Sequence, residues 1–291
     1  MNKLGLGTVQ FGIDYGVSSI KGQVKPIEVM EIIDFAKSVG IENLDTAPAY
    51  GNSEEILGRC NISSFNVTSK TRHFENLEIN EDDIHLLKDD LSQTLNNLQQ
   101  NNLYGLLVHN AEDIMKAGAE KLFDSLEELK KNGDISKIGV SVYDPMQLEY
   151  IIKRFSIDLV QLPFNIFDRR MIDSGMFEIL SKKKIEIHSR SVFLQGLLLM
   201  NSHSRPKKFD QWNKLWTLWS EWLNDNNLSA LEASLRYAIS VSEISNILVG
   251  VETKKQLKEI FEATSGYLPE IPHELCSYDE LLLNPSNWDK L

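Results

Sequence analysis

The sequence predicts a single (β/α)8 barrel of the α/β class, and three observations carry that expectation. Eight short apolar runs alternate with amphipathic helical stretches along the 291 residues. Several runs, "YGLLVH" and "DLVQLPF" among them, are almost continuously apolar, as parallel strands covered on both faces must be. No linker, low-complexity segment or shift in composition divides the chain. A doubly wound open sheet, built from the same alternation, is the runner-up.

The strand runs are 4–7, 42–46, 66–70, 104–109, 137–142, 158–164, 186–191 and 246–251. After the first, "GLGTVQ" begins like a dinucleotide fingerprint, but Gln10 stands where the third glycine belongs. No helix is expected behind it, because "FGIDYGVSSIKGQVKP" has loop chemistry. The stretch "PIEVMEIIDFAKSVG" opens on Pro26, tolerated in a first helical turn, and stops at Gly40. Ile27, Met30, Ile33 and Phe35 outline its expected apolar side. "EDDIHLLKDDLSQTLNNL" carries acids in its first turn, where the helix dipole favours them. "AEKLFDSLEELKKNG" ends in lysines and Gly133, the matching C-terminal signal. Further helices are expected over 146–155, 171–184, 229–240 and 254–263.

The connection over about 199–227 is long for this fold and holds Trp212, Trp216, Trp219 and Trp222 at helical spacing. An aromatic helix side packed onto the barrel is expected there, with a lid or self-association surface as the alternative. A tail over about 264–291 completes the single domain.

Hydrophobic residues at 42% and charged residues at 25% are ordinary for a globular core that needs no disulfide or metal staple. Cys60 and Cys276 fit no metal spacing, and the six histidines include no His-x-x-x-His pair, so no metal is expected. A net charge of −12 argues against nucleic acid as partner. No apolar run reaches the length of a signal peptide or a membrane span, and a cytoplasmic protein is expected. On that expectation the glycosylation-like triplets at Asn61, Asn66 and Asn227 are chance matches.

In such a barrel, polar residues at the C-terminal ends of strands form the active-site floor. Asp45 ends the second run, Tyr50 follows in its loop, Lys70 ends the third and His109 the fourth. Each alone is more often structural, but successive strands ending in ionisable groups on one rim make a chemical unit. A lysine beside a phenol favours phenolate and is expected to lower the Tyr50 pKa. Asp45 can hold Lys70 charged, and His109 can hydrogen-bond a carbonyl oxygen opposite Tyr50. The result would be a general acid aimed at an oxygen becoming alkoxide.

These residues and their spacing resemble the aldo-keto reductase family. "DTAPAYGNSEEILG" is similar to the family's signature, and "TSK", "LLVH" and "KIGVSV" follow in the family's order. The resemblance implies that Asp45, Tyr50, Lys70 and His109 form a catalytic tetrad, with Tyr50 and His109 also facing substrate. It implies a nicotinamide cofactor across the barrel mouth and reduction of an aldehyde or ketone, a sugar-derived carbonyl among the candidates. Ser141 and Gln161 would hold the carboxamide, although Val142 stands where an asparagine is common. Arg190 occupies the place of an aromatic residue that stacks on the nicotinamide, and a guanidinium plane can also stack. Thr8, Asp45, Ser191, Leu194 and Gly196 are further implied cofactor contacts, with Gly250, Thr253 and Gln256 near the adenosine phosphate.

NADPH is the family's usual cofactor and the one expected. NADH stays open, because Gly250 and Gln256 replace a phosphate-binding lysine and arginine, with Lys254 and Lys255 close by. Self-association is left open. Two alternatives remain: a nicotinamide-binding redox sensor with little turnover, and a lyase using Lys70 as Schiff-base amine. The second conflicts with an Asp45-paired, protonated lysine.

Overall fold

Eight parallel strands among the described residues pair in chain order. They are β1 (Leu4–Gly7), β2 (Asn43–Asp45), β3 (Asn66–Lys70), β4 (Leu103–Val108), β5 (Ile135–Ser141), β6 (Leu159–Pro163), β7 (Glu186–Arg190) and β8 (Asn246–Gly250). β8 pairs with β7 and also with β1, so the sheet closes into a barrel and no edge is left open. The structure is a computed structural model that describes residues 3–17 and 22–291. Closure excludes the open-sheet alternative.

Helices cover the outside, and local chemistry explains their ends. Asn80 and Asp83 form a reciprocal capping box at the start of the Glu81–Leu98 helix. Asp144 caps the Pro145–Arg154 helix through the amides of Met146 and Gln147. Gly133, with φ +85°, closes the Ala119–Asn132 helix in the left-handed conformation glycine tolerates. The helix expected over 171–184 is two pieces, Arg170–Asp173 and Met176–Lys183, parted at Gly175 with φ +72°.

Two local expectations need correction. The helix Pro26–Ser38 buries Val29, Ile32, Ile33 and Ala36, whereas Ile27 is 66% exposed and Met30 39%. The buried set follows the i, i+3, i+4, i+7 pattern of one helical face, which Ile27 and Met30 miss. A one-turn helix, Val9–Gly12, also follows β1 where only loop was expected. Residues 18–21 of that connection lie outside the described residues.

The Trp-rich connection forms the helix Asn213–Asp225 with Trp216, Trp219 and Trp222 buried. They pack not onto the strands but into a second core with Phe167, Leu197, Leu198, Leu275 and Trp288. That core joins the segments after β6 and β7 to the tail. Each buried indole N–H finds a carbonyl, as a buried donor requires: Trp216 on Phe209, Trp219 on Leu198, Trp222 on Glu270 and Trp288 on Leu282. Trp212 lies just before the helix and donates to Asp279. No helix among the described residues is long and apolar enough to cross a membrane.

Candidate active site

β2 and β3 are neighbours in the barrel, so their last residues meet over its mouth. Lys70 Nζ donates to Asp45 Oδ2 at 2.7 Å and to the Thr46 carbonyl at 2.9 Å. Both side chains are buried. Gln161, on β6 across the barrel, donates its Nε2 to Asp45 Oδ1 at 2.7 Å. The carboxylate therefore carries an ammonium on one oxygen and an amide on the other, as a buried charge needs.

Tyr50 is set by backbone packing. Its N–H donates to the Ala47 carbonyl at 3.0 Å, and its own carbonyl accepts from Ser53 N at 3.1 Å. Gly12 abuts this turn so closely that a Cβ there would lie 1.6 Å from the Tyr50 carbonyl oxygen. Gly51, with φ +58°, lies against Gly12 in turn. Beneath them the buried Ser53 hydroxyl bonds the Thr8 carbonyl and hydroxyl, and Thr8 Oγ1 donates to the Asp45 carbonyl. Hydrogen bonds thus tie the ends of β1 and β2 to the start of the Ser53–Gly58 helix. Lys70 Nζ lies 4.9 Å from the centre of the Tyr50 ring, and the His109 ring meets it edge-on with centroids 6.1 Å apart.

Electrostatics here differ from the expectation in one respect. Burial pushes the Tyr50 phenol above its ordinary pKa; Lys70 opposes that push, Asp45 adds to it, and the net direction is up. The sequence shows the lysine but not the depth of burial, and burial wins. Burial opposes the charge on Lys70, yet Asp45 and Tyr50 outweigh it and hold the lysine above its usual range. His109 falls from 6.5 to about 4, mainly through burial and also through the nearby Lys70 cation. Around neutrality the site therefore holds a protonated phenol, an ammonium and a neutral imidazole.

A cavity of about 750 Å³ opens beside these groups, within the range of ligand sites. Thr8, Asp45, Tyr50, Gln161, Arg190 and Ser191 line it, and Gly196, Gly250 and Gln256 continue the wall. Lys70 and His109 stand against Tyr50 rather than on the wall. Ser141 is buried in the sheet beside Gln161, and Thr253 caps the Lys254–Ala263 helix. The Leu194 side chain is fully buried in the second core, and its neighbours Phe193 and Gln195 line the cavity. Arg190 lies over the Tyr143 ring, 4.3 Å from its centre, and donates to the Val142 carbonyl, the position where asparagine is common in the family. His188 is buried and bonded to Glu186 Oε1, outside the cavity wall.

Tyr15 lines the wall, as its place in the loop after the first strand allows, whereas Gln10, Glu252 and Glu259 escaped the sequence reading. Tyr15 accepts a bond from Gln195 at 2.9 Å, and Gln10 Oε1 is buried without a partner. Glu252, just after β8, and Glu259, on the Lys254–Ala263 helix outside the barrel, also line the cavity. Their only sequence signal was two acids flanking Lys254 and Lys255.

Fold and site together define a class: a barrel whose mouth joins a buried ammonium–carboxylate pair to a phenol and a neutral imidazole beside a long groove. The chain belongs to the aldo/keto reductase family, whose model matches residues 3–273, and this makes it an oxidoreductase. It is 23% identical over 287 residues to the uncharacterized oxidoreductase YqkF of Bacillus subtilis, covering 91% of this chain and 92% of that one. Among solved structures, the holo form of aldo-keto reductase AKR11C1 from Bacillus halodurans aligns with a TM-score of 0.73 at 20% identity, over 92% of this chain and 88% of that one. The glycerol dehydrogenase AKR11B4 from Gluconobacter oxydans aligns at 0.71 and 19%, over 93% and 88%. These structural likenesses establish the fold.

Proposed function

We propose that this chain reduces an aldehyde or ketone to an alcohol with a nicotinamide dinucleotide, NADPH or NADH, and that Tyr50 donates the proton. The supporting observation is the buried Lys70–Asp45 pair against Tyr50, with neutral His109 edge-on to the same ring. The cavity suits such a cofactor: its wall carries the unpartnered Gln10 Oε1, and Ser191, Leu194, Gln195 and Gly196 all have positive φ. These left-handed residues fold the segment after β7 into tight turns, Leu194 N–H bonding the Ser191 carbonyl and Gly196 N–H the Phe193 carbonyl, and so hold Ser191, Gln195 and Gly196 on the cavity wall. Bound, the nicotinamide supplies hydride to the carbonyl carbon.

The chain's own groups do the rest. A phenol above its usual pKa is fully protonated near neutrality, hence loaded as an acid. The alkoxide forming at the substrate is a far stronger base than phenolate, so transfer runs downhill even from a raised phenol. As the proton leaves, Lys70 meets the new phenolate with a charge that Asp45 keeps in place. Neutral His109 offers an N–H to the carbonyl oxygen and orients it. The substrate class is a small carbonyl compound, with sugar-derived carbonyls the first to try.

Cofactor consumption, followed by nicotinamide absorbance over a panel of small aldehydes, tests this in wild type and Tyr50→Phe. The variant should bind cofactor as wild type does and lose about 10²–10⁴ in kcat. Full turnover by Tyr50→Phe would remove Tyr50 as donor. Tight cofactor binding without turnover of any substrate would favour the sensor alternative instead.

A further inference from the structure

We infer that the remote end of the groove selects a dinucleotide with a free 2′-hydroxyl on its adenosine ribose, NADH over NADPH, and that Glu252 is the selecting side chain. This rests on the nicotinamide reading above. The reacting ring must sit at Tyr50, so an extended dinucleotide leaves its adenosine at the other end. There the wall offers Leu231 and Ile260 as apolar surface, with Glu252, Gln256 and Glu259 as its polar groups.

The charges at that end are wrong for a phosphate. Among the described wall residues the single cation is Arg190, beside Tyr50, whereas the adenosine end carries two carboxylates. The two lysines next to Glu252 each face a carboxylate. Lys255 Nζ faces Glu259 at 3.7 Å, and Lys254 Nζ faces Glu31 at 4.0 Å.

The start of the Lys254–Ala263 helix, ordinarily inviting to phosphate, is engaged as well. Its Lys254 N–H donates to the Glu28 carboxylate at 2.7 Å, and its Gln256 N–H to Thr253 Oγ1 at 3.1 Å. Gln256 folds back so that its Oε1 accepts from Glu252 N at 2.7 Å, which holds the Glu252 backbone at the groove.

A 2′-phosphate brings a charge of about −1.5 to −2. Here it would meet Glu252 and Glu259 and find a helix end already occupied by an anion. A 2′-hydroxyl is a hydrogen-bond donor, and a carboxylate is its natural acceptor; dinucleotide sites on open sheets use an acid on this hydroxyl for the same reason. The two lysines beside Glu252, which resemble a phosphate grip in sequence, serve as ion-pair partners in the structure.

The test is direct binding of NADH and of NADPH, by calorimetry and by cofactor fluorescence, to wild type, Glu252→Gln and Glu252→Arg, with thermal melts to show that the variants fold. Wild type should bind NADH at least about tenfold more tightly, as like-charge repulsion at short range implies. Glu252→Gln should narrow that ratio, and Glu252→Arg should tighten NADPH by about tenfold or more. NADPH bound by wild type as tightly as NADH would overturn this inference and leave the nicotinamide reading standing. Unchanged ratios in both variants would overturn the role of Glu252. Binding of neither dinucleotide would overturn both.

Discussion

Replacing Lys70 with methionine probes the centre of the site, because it removes a charge whose ion-pair partner, Asp45, is itself buried. At the 2.7 Å separation of Lys70 and Asp45, an effective dielectric of about 20 gives an attraction of roughly 6 kcal/mol. Part of that offsets the desolvation of both ions, so the pair's net worth is smaller. Breaking it is another matter. In Lys70→Met the Asp45 carboxylate keeps Gln161 but faces no cation, and a loss of about 3–5 kcal/mol of unfolding free energy is expected. Asp45→Asn should cost a comparable amount by stranding the ammonium with the Thr46 carbonyl.

The double variant Asp45→Asn/Lys70→Met strands neither charge, so its loss should fall short of the sum of the singles by at least about 2 kcal/mol. Turnover should not recover with it, since on the proposed mechanism Tyr50 would lack the cation that receives its phenolate. Urea denaturation and cofactor consumption, measured on the same four proteins, separate these effects. Additive stability losses would show that the pair is not energetically coupled. A double variant that regains turnover would show that Lys70 does not act on Tyr50.

Two further predictions follow from the same geometry. His109 titrates near 6.5 unfolded and about 4 folded, so its contribution is fully present above pH 6.5 and is lost as pH falls toward 4. Unfolding free energies from urea denaturation should drop over that window by up to about 3 kcal/mol, and His109→Gln should flatten the drop; identical profiles would refute it. Gly12→Ala places a methyl against the Tyr50 carbonyl, and Tyr50 or its turn must move. Since displacement of about 1 Å can cost about 10²-fold, kcat should fall at least tenfold with little change in cofactor affinity, and an unaltered kcat would show that the turn does not position the phenol.

What the sequence made legible was what covalent order alone decides. Nearly continuous apolar runs such as "DLVQLPF" read as strands covered on both sides, and their eightfold alternation with helices favours the barrel that β8 closes onto β1. Asp45 and Lys70 could be placed side by side because they end neighbouring strands. What stayed hidden depends on approach in space. The Tyr50 pKa direction turns on burial, which outweighs the lysine visible in the sequence. Gly12 shows its importance only where another backbone comes against it. Leu194 falls within a cofactor-like motif but points into a core formed with a tail some eighty residues on, for which periodicity gives no sign. Lys254 and Lys255 were weighed as phosphate ligands because Glu28 and Glu31, more than two hundred residues earlier, cannot be seen to face Lys254.

The same electrostatics bear on the direction of the chemistry. Each group at the mouth rests in the protonation state that reduction consumes or requires: the phenol holds its proton, the ammonium holds its charge, and the imidazole is neutral with an N–H to give. Oxidation would need the phenolate first, and burial makes that the costly form. On the proposed mechanism, reduction would reach the phenolate only after an alkoxide had developed to take the proton, with Lys70 already in place to receive the charge. On that mechanism, the burial that raises the Tyr50 pKa would defer ionisation to the moment at which the substrate drives it.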